Sequence, residues 1–488
     1  MNQHYYNSLI KQFHTLVKEV CTHWQVPNLT YALISQNEII GLNSYTLDQF
    51  YPYDVNNKIF RIGSNSKAMA CAILADLEYQ KKLSLEDSVI NYLPKFKMGT
   101  KELTNETKVV DLVTHATGVS KYAASMMCYL DYSHQDIINC YQHFKPVKPY
   151  RSSFQYNNGL YVVAAELIKQ VTGIRNEDYF KEKLFQPLGM NNTYTSLNTL
   201  YKPALAVPHV DHDGKSIAIP QCPFGDAISI GGNVNSTAAD LAQWLLFNLK
   251  ITTTDDPALK QYKKIFKSQI KISTPKSTNL FNSLICADAY TLGWYRACFN
   301  KYTFFEHMGG FSGYMSNISF SPQLKSGIIL LSNKSDIWYP LEMLKMNYYE
   351  LLINNYYTNM LEAIKQQCIK FRLSLNQDLS VYKKEAIPSY LKIKNGSYFN
   401  PIYGKIVIHV DENLSYIILG PKAVIIKIEY IGNNIFKLID EHFNFGTMFK
   451  LILLEIKDTR KKLTLTINMD DQHGHLAWID TQDFVINE

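Results

Sequence analysis

Ser64 and Lys67 are the residues of this chain best placed to do chemistry. They stand in Phe60-Arg-Ile-Gly-Ser-Asn-Ser-Lys67-Ala-Met-Ala-Cys71, where a short extended run ends at Gly63 and an apolar, alanine-rich helical pattern begins. The spacing puts both side chains on one face of the first helical turn, where an amine can take the proton from a hydroxyl. A helix N-terminus adds unpaired N–H groups and a partial positive charge, both of which favour an oxyanion. The pair alone has little meaning, because Ser8, Ser268, Ser273, Ser380 and Ser389 also precede a lysine by three positions. Context distinguishes Ser64. Tyr156 and Asn158 lie on a polar stretch that enters a helical pattern, a common place for reacting groups. His307-Met-Gly-Gly-Phe-Ser-Gly313 lies between strand patterns, and its glycines let the backbone approach a ligand or a neighbouring helix closely.

Other polar clusters carry weaker chemistry. His209-Val-Asp-His-Asp-Gly214 gathers metal-ligating types, but its alternation and terminal glycine suit a polar turn, and no matching ligands stand at tetrahedral-site spacing. A metal-dependent hydrolase using His209, Asp211 and His212 is the competing chemistry, and a chelator would reveal it. His115, in a short helix Val109–Gly118 ended by glycine, reads as a structural histidine because no partner is obvious. His473-Gly-His475 reads as an exposed turn.

The elements that must position these residues follow from periodicity. Leu9, Ile10, Phe13, Leu16, Val17 and Val20 recur at helical spacing, so an amphipathic helix opens the chain. Two short strands, Leu29 to Ile34 and Glu38 to Leu42, flank the turn at Ser35-Gln-Asn37. The Ser64 helix ends near Lys81-Lys82, and a second apolar helix runs from Leu160 to Val171 before Gly173. Gly231-Gly232 precedes a helix capped by Ser236 or Thr237 and running to Leu249. Residues 250–285 read as a charged surface excursion. Strands are expected over Ala287 to Tyr295, Thr303 to His307, Tyr314 to Ser321 and Gly327 to Ser332, with Leu341 to Phe371 largely helical. From about Lys383 short β-like runs alternate with turns, which predicts an all-β tail, either a small barrel or a sandwich.

Composition narrows the function classes. The chain of 488 residues, 46% hydrophobic and 19% charged, has room for two or more domains of ordinary globular type. A net charge of +6 without a long basic run does not suggest a nucleic-acid binder. No apolar run reaches the roughly 18 residues of a membrane helix, and Met1 to Val20 has no signal-peptide pattern, which leaves the compartment open. Eight scattered cysteines without a Cys-x-x-Cys pair fit buried thiols in a reducing compartment.

Ser64-x-x-Lys67, Tyr156-x-Asn158 and His307-x-Gly309, in that order and with Asp111-Leu-Val-Thr-His115 and Gly293-Trp294 beside them, resemble the serine β-lactamase and penicillin-binding-protein superfamily. The likeness covers roughly residues 5 to 355 and is strongest to the class C branch with its esterases and D-peptidases. The tail, through Asn395-Gly-Ser-Tyr-Phe-Asn-Pro-Ile-Tyr-Gly404, resembles the lipocalin-like module that follows many such domains. The resemblance implies an α/β (α+β) β-lactamase-like fold, an antiparallel sheet flanked by helices plus a helical subdomain. It would occupy residues 1–378, with a small all-β domain over 379–488. It implies Ser64 as nucleophile, Lys67 and Tyr156 as a coupled base pair in which either could hold the proton, and Asn158 as orienter of Lys67. After acylation, Tyr156 would be the base that activates water. The N–H groups of Ser64 and Gly310 would form the oxyanion hole, with Gly309 letting the strand approach.

One departure steers the substrate. Where penicillin-recognising enzymes usually carry Lys-Thr-Gly or Lys-Ser-Gly, this chain has His307-Met308-Gly309. A mostly neutral histidine and a methionine without a donor hold a β-lactam carboxylate poorly. The expected function is therefore hydrolysis of an ester or a D-amino-acid amide, with β-lactams secondary. The partner is a small molecule or short peptide, no cofactor is required, and the oligomeric state is left open. The alternative is a binding protein on the same fold without turnover.

Overall fold

The computed structural model describes residues 3–47, 58–121, 123–197, 204–212, 214–222, 226–272, 287–369, 385–388, 395–411, 414–432, 435–439, 452–459, 462–470 and 476–486. The N-terminal apolar stripe forms one face of helix α1 (Gln3–Trp24), with Leu9, Phe13, Leu16, Val17 and Val20 buried. The next two predicted strands are β1 (Asn28–Ser35) and β2 (Glu38–Thr46). They join an antiparallel sheet with β7 (Ile270–Lys271), β8 (Ala287–Tyr290), β9 (Tyr295–Phe299), β10 (Tyr302–Phe311), β11 (Tyr314–Ser321) and β12 (Ser326–Ser332). The order is β2-β1-β12-β11-β10-β9-β8-β7, so the first strands of the chain pair with the last of the sheet.

Strand periodicity explains why both sheet faces are covered. On β1, Tyr31 and Leu33 pack with α1 and the Trp338–Asn354 helix, whereas Ala32 and Ile34 face the opposite cluster. On β12, Ile328 and Leu330 divide from Ile329 and Leu331 in the same way. Between β2 and β7 the chain builds the helical subdomain. Its central helix is α2 (Ser66–Tyr79), which buries eleven of fourteen residues and so shows no polar face. The tail closes into an eight-stranded barrel from β13 (Gly396–Asn400) through β14 (Gly404–His409), β15 (Tyr416–Leu419), β16 (Val424–Tyr430), β17 (Ile435–Ile439), β18 (Ile452–Thr459) and β19 (Lys462–Asp470) to β20 (Leu476–Ile486). Alternate burial along β16 shows the inside–outside pleat.

Four expectations need correction. Ala287 to Tyr295 is not one strand: a turn at Leu292-Gly293 separates β8 from β9. The His307–Gly310 motif does not lie between strands but within β10, because its alternating residues continue the ladder with β11. Residues 250–285 are not merely an excursion, since Ile265 is fully buried against α2 and Ile270–Lys271 pairs with β8. The helix at Val109–Thr114 is ended by His115 in the left-handed conformation rather than by glycine. His473, His475, the stretch 273–286 and the 378/379 boundary lie outside the described residues. Among the described residues no helix is long and apolar enough to cross a membrane.

Candidate active site

Ser64 occupies a single tight turn, Gly63–Asn65, that feeds directly into α2. Gly63 has φ +54, and a Cβ there would lie 2.7 Å from Gly310 N, so only glycine lets the turn rest on β10. Gly309 is tighter still: a Cβ would lie 1.8 Å from Ile62 O. The two glycine positions thus bring the backbone of β10 beside the Ser64 turn. Gly293 serves the same end from the β8–β9 turn, where an added Cβ would stand 2.6 Å from Ala68 Cα. Two short strands, β3 (Phe60–Arg61) and β6 (Asn235–Ser236), pair just before the turn. Buried Arg61 adds a guanidinium 3.3 Å from the Phe311 ring centroid and bonds to Cys222 O and Asn233 Oδ1.

The side chains converge on Ser64 Oγ. Lys67 Nζ is 3.0 Å from it and Tyr156 Oη donates to it at 2.6 Å. Lys67 is fully buried and also donates to Asn158 Oδ1 at 2.8 Å and Gly231 O at 2.6 Å. Three acceptors match the three N–H bonds of an ammonium. Burial opposes them and lowers Lys67 to about 7. Burial pushes Tyr156 in the other direction, well above 10, so its phenol holds its proton. His307 is also lowered, to about 3, by burial and then by the Lys67 charge, and it is neutral in the ordinary working range. Its Nε2 stands 3.3 Å from Tyr290 Oη, and its Nδ1 lies 2.6 Å from Met308 O.

All seven residues singled out in the sequence, Ser64, Lys67, Tyr156, Asn158, His307, Gly309 and Gly310, therefore fall in one region, although only the first four are joined by direct hydrogen bonds. Gly231, Asn157 and Arg151 were missed as contributors, and Asp111 was named only within the family likeness. Gly231 O is the third acceptor for Lys67 and is presented by a turn, Asp226–Gly231, that contains Ser229 at φ 50, ψ −137. Backbone strain of this kind gathers at functional sites. Asn157 is fully buried: its Oδ1 accepts from Tyr141 Oη and Leu160 N, and its Nδ2 donates to Ser120 O and Ala123 O. Arg151 and Asp111 form a two-point pair at 2.8 and 2.6 Å that ties the loop bearing Tyr156 to the Val109–Thr114 helix. In sequence, Asn157 was visible only as a neighbour of Tyr156, and Gly231 only as part of the Gly231-Gly232 pair before a helix.

The rival cluster is built differently. Strand β4 (His209–His212) forms a hairpin with β5 (Lys215–Ala218), and Asp211 pairs with buried Lys334 at 3.3 Å. His209 Nδ1 lies 2.8 Å from Val207 O. Among the described residues no three His, Cys, Asp or Glu side chains gather as a metal ion requires.

Comparison with known proteins points the same way as the geometry. The Beta-lactamase family model matches residues 15–341. Unguisins hydrolase ungD' of Aspergillus campestris is 25% identical over 338 residues, covering 67% of this chain and 62% of that protein. Teichoic acid D-alanine hydrolase of Staphylococcus aureus is 28% identical over 215 residues, covering 42% of this chain and 51% of that protein. The chain thus spans between half and two thirds of the length of these relatives. Among solved structures, the octameric penicillin-binding protein homologue from Pyrococcus abyssi superimposes with a TM-score of 0.60 at 19% identity. That match covers 98% of this chain and 99% of the other, and the likeness shows the fold.

Proposed function

The chain belongs to the Beta-lactamase family, and on that premise we propose that it is an active serine hydrolase that cleaves an ester or a D-amino-acid amide through an acyl-enzyme on Ser64. One observation carries the reading: a fully buried lysine and a tyrosine both bond to the same serine oxygen, at 3.0 and 2.6 Å. With Lys67 lowered to about 7, much of it is free amine at neutral pH, whereas the Tyr156 phenol keeps its proton. This balance favours Lys67 over Tyr156 as the base in both half-reactions.

In the amine form Lys67 takes the Ser64 proton as Oγ adds to the carbonyl carbon. The developing oxyanion is held by the N–H groups of Ser64 and Gly310, where one donor contributes about 3 to 4 kcal/mol. Collapse expels the alcohol or amine, which takes the Tyr156 proton, and the phenol regains a proton from Lys67. Water then attacks the acyl-serine, giving its proton to Lys67, and the acid departs as Ser64 Oγ is reprotonated.

The substrate side is read from what surrounds Oγ. Neutral His307 and Met308 offer no cation for a β-lactam carboxylate. This supports kinship with the esterase and peptidase members of the class C branch, and makes penicillins slow substrates at best. Two relatives are named as hydrolases, of unguisins and of teichoic acid D-alanine, which supports hydrolysis as the reaction class. The barrel, in this reading, is the lipocalin-like module of such enzymes, and the substrate is a small molecule or short peptide.

Intact-mass spectrometry after exposure to a fluorophosphonate, a penicillin and an activated ester tests the proposal. Wild type should gain one adduct that Ser64→Ala does not. The ester adduct should disappear with time, while the penicillin adduct persists or never forms. No adduct from any probe would instead identify a binding protein without turnover.

A further inference from the structure

His115 is fully buried, yet it is an expensive choice of residue for a core position. It ends the Val109–Thr114 helix at φ 60, ψ 33, a left-handed conformation that disfavours most side chains. Its Nδ1 accepts the Asn157 N–H at 2.9 Å, so the ring proton sits on Nε2. That Nε2 is buried without a protein hydrogen-bond partner. It is enclosed by rings: Tyr290 at 5.0 Å, Tyr161 and Phe154 each at 5.5 Å, and Tyr156 at 4.3 Å with an interplanar angle of 34°. A phenylalanine would fill such a place without an unpaired N–H. The Nδ1 acceptor is what a phenylalanine lacks.

The backbone points to the same segment. His115 O accepts Gln155 N at 2.8 Å and Ala116 O accepts Arg151 N at 2.7 Å. One residue therefore grips the segment at Gln155, Tyr156 and Asn157, by carbonyl, ring face and imidazole nitrogen in turn. That grip encloses Tyr156, whose hydroxyl bonds to Ser64, and ends one residue before Asn158, whose side-chain oxygen accepts from Lys67.

We propose that His115 is a positioning residue for acyl transfer, whose ring face and Nδ1 together hold Tyr156 and Asn158 at hydrogen-bond distance from Ser64 and Lys67. The inference rests on the acyl-enzyme reading above. Burial, and after it the charges of Lys67 and His307, hold His115 well below its ordinary value, so it stays neutral and its Nδ1 lone pair is always available. It shapes the rate without titrating. The groups around it are the phenols of Tyr156, Tyr161 and Tyr290, with Lys67 and His307 beyond.

Three variants of the full chain separate positioning from packing. His115→Asn is at ease in the left-handed region and offers Oδ1 near the place of Nδ1. His115→Phe keeps the ring stack but has no acceptor, and His115→Gly removes both without backbone strain. The readouts are the rate constant of Ser64 acylation by a fluorophosphonate, kcat and KM for an activated ester, and the thermal midpoint. The expected result is acylation within about threefold of wild type for the asparagine variant, and slower by about 10- to 100-fold for the phenylalanine and glycine variants. KM should change by less than about threefold, and the pH midpoint set by Lys67 should not move. Should the phenylalanine variant fail to fold, the glycine and asparagine variants decide. Acylation of either acceptor-free variant at the wild-type rate overturns the proposal. So does an asparagine variant that is as slow as glycine or does not fold. A wild type that never acylates defeats the acyl-enzyme reading itself, and is thereby distinguishable from either result.

Discussion

Lys67 is held between two opposing effects. Burial removes its hydration and favours the amine, while Ser64, Asn158 and Gly231 each accept from it and favour the ammonium. The value near 7 yields a prediction with a definite sign. Acylation, followed as kcat/KM for an activated ester, should rise with pH through about 7 and then level off. A flat profile across that region would show that another group is the base. Neutral His307 and His115 contribute no inflection there, being lowered to about 3 and well below 6.5 respectively. Stability carries the same signature. The folded value lies below the unfolded one, so the unfolded chain binds more protons between about pH 7 and 10, and the Lys67 contribution to stability rises with pH in that window. The difference in unfolding free energy between wild type and Lys67→Met should therefore move in favour of wild type from pH 6 to pH 9.

At the scale of elements, the site is a junction between α2, β10 and the loop 150–157. Each depends on a close approach that one residue permits or enforces. Glycines permit it at 63, 293 and 309, where added Cβ atoms would meet backbone within 3 Å. Asp111 enforces it: its carboxylate accepts from Arg151 at two points, from Tyr150 Oη at 2.8 Å and from Lys108 N at 2.8 Å. Asp111 is buried, so removing it strands its partners as well as breaking the pair. Asp111→Ala should cost about 3 kcal/mol in denaturant unfolding and should slow acylation by loosening the Tyr156 loop. A loss under about 1 kcal/mol, typical of an exposed ion pair, would show that the loop holds its place by other means. The sequence supplied Asp111 only as part of a family likeness. Its partner Arg151, 40 residues on, carried no periodic signal that could connect the two.

At the scale of the molecule, the barrel shares a buried apolar cluster with the rest of the chain and, among the described residues, also meets it through specific contacts. Tyr132 Oη donates to Tyr403 O at 2.7 Å, Lys422 pairs with Asp131 at 2.6 Å, and Gly420 packs against Leu130 and Tyr132. Asp131 Oδ1 also accepts from Ala227 N at 3.3 Å, at the start of the turn that ends in Gly231. We therefore propose 1–378 and 379–488 as separable units whose contact steadies the Lys67 surroundings. Residues 1–378 alone should fold and label at Ser64 with a fluorophosphonate, but with a stability lower by about 1 to 3 kcal/mol from lost apolar cover and the Tyr132 bond. An insoluble or unlabelled fragment would refute the boundary. Of the chain's 34 tyrosines, Tyr31, Tyr141, Tyr161, Tyr290, Tyr348 and Tyr349 are among those fully buried, so part of this content is core.

Local patterns determined a good deal here. The stripe from Leu9 to Val20 set α1, alternation set the strands, and the turn-rich tail set an all-β region, because each depends only on neighbours along the chain. Ser64 and Lys67 were legible for the same reason, being one helical turn apart. The tail's closure was not: β13 meets β20 across almost the whole tail, and periodicity cannot tell a barrel from a sandwich. Nor was the third acceptor of Lys67, which is 164 residues away. His115 shows the division most plainly. Its sequence surroundings offered no partner, and only packing set its imidazole against Tyr156 and the Asn157 amide. The protonation of Lys67 and Tyr156 was open for the same physical reason: both depend on burial, and burial is a property of the folded whole.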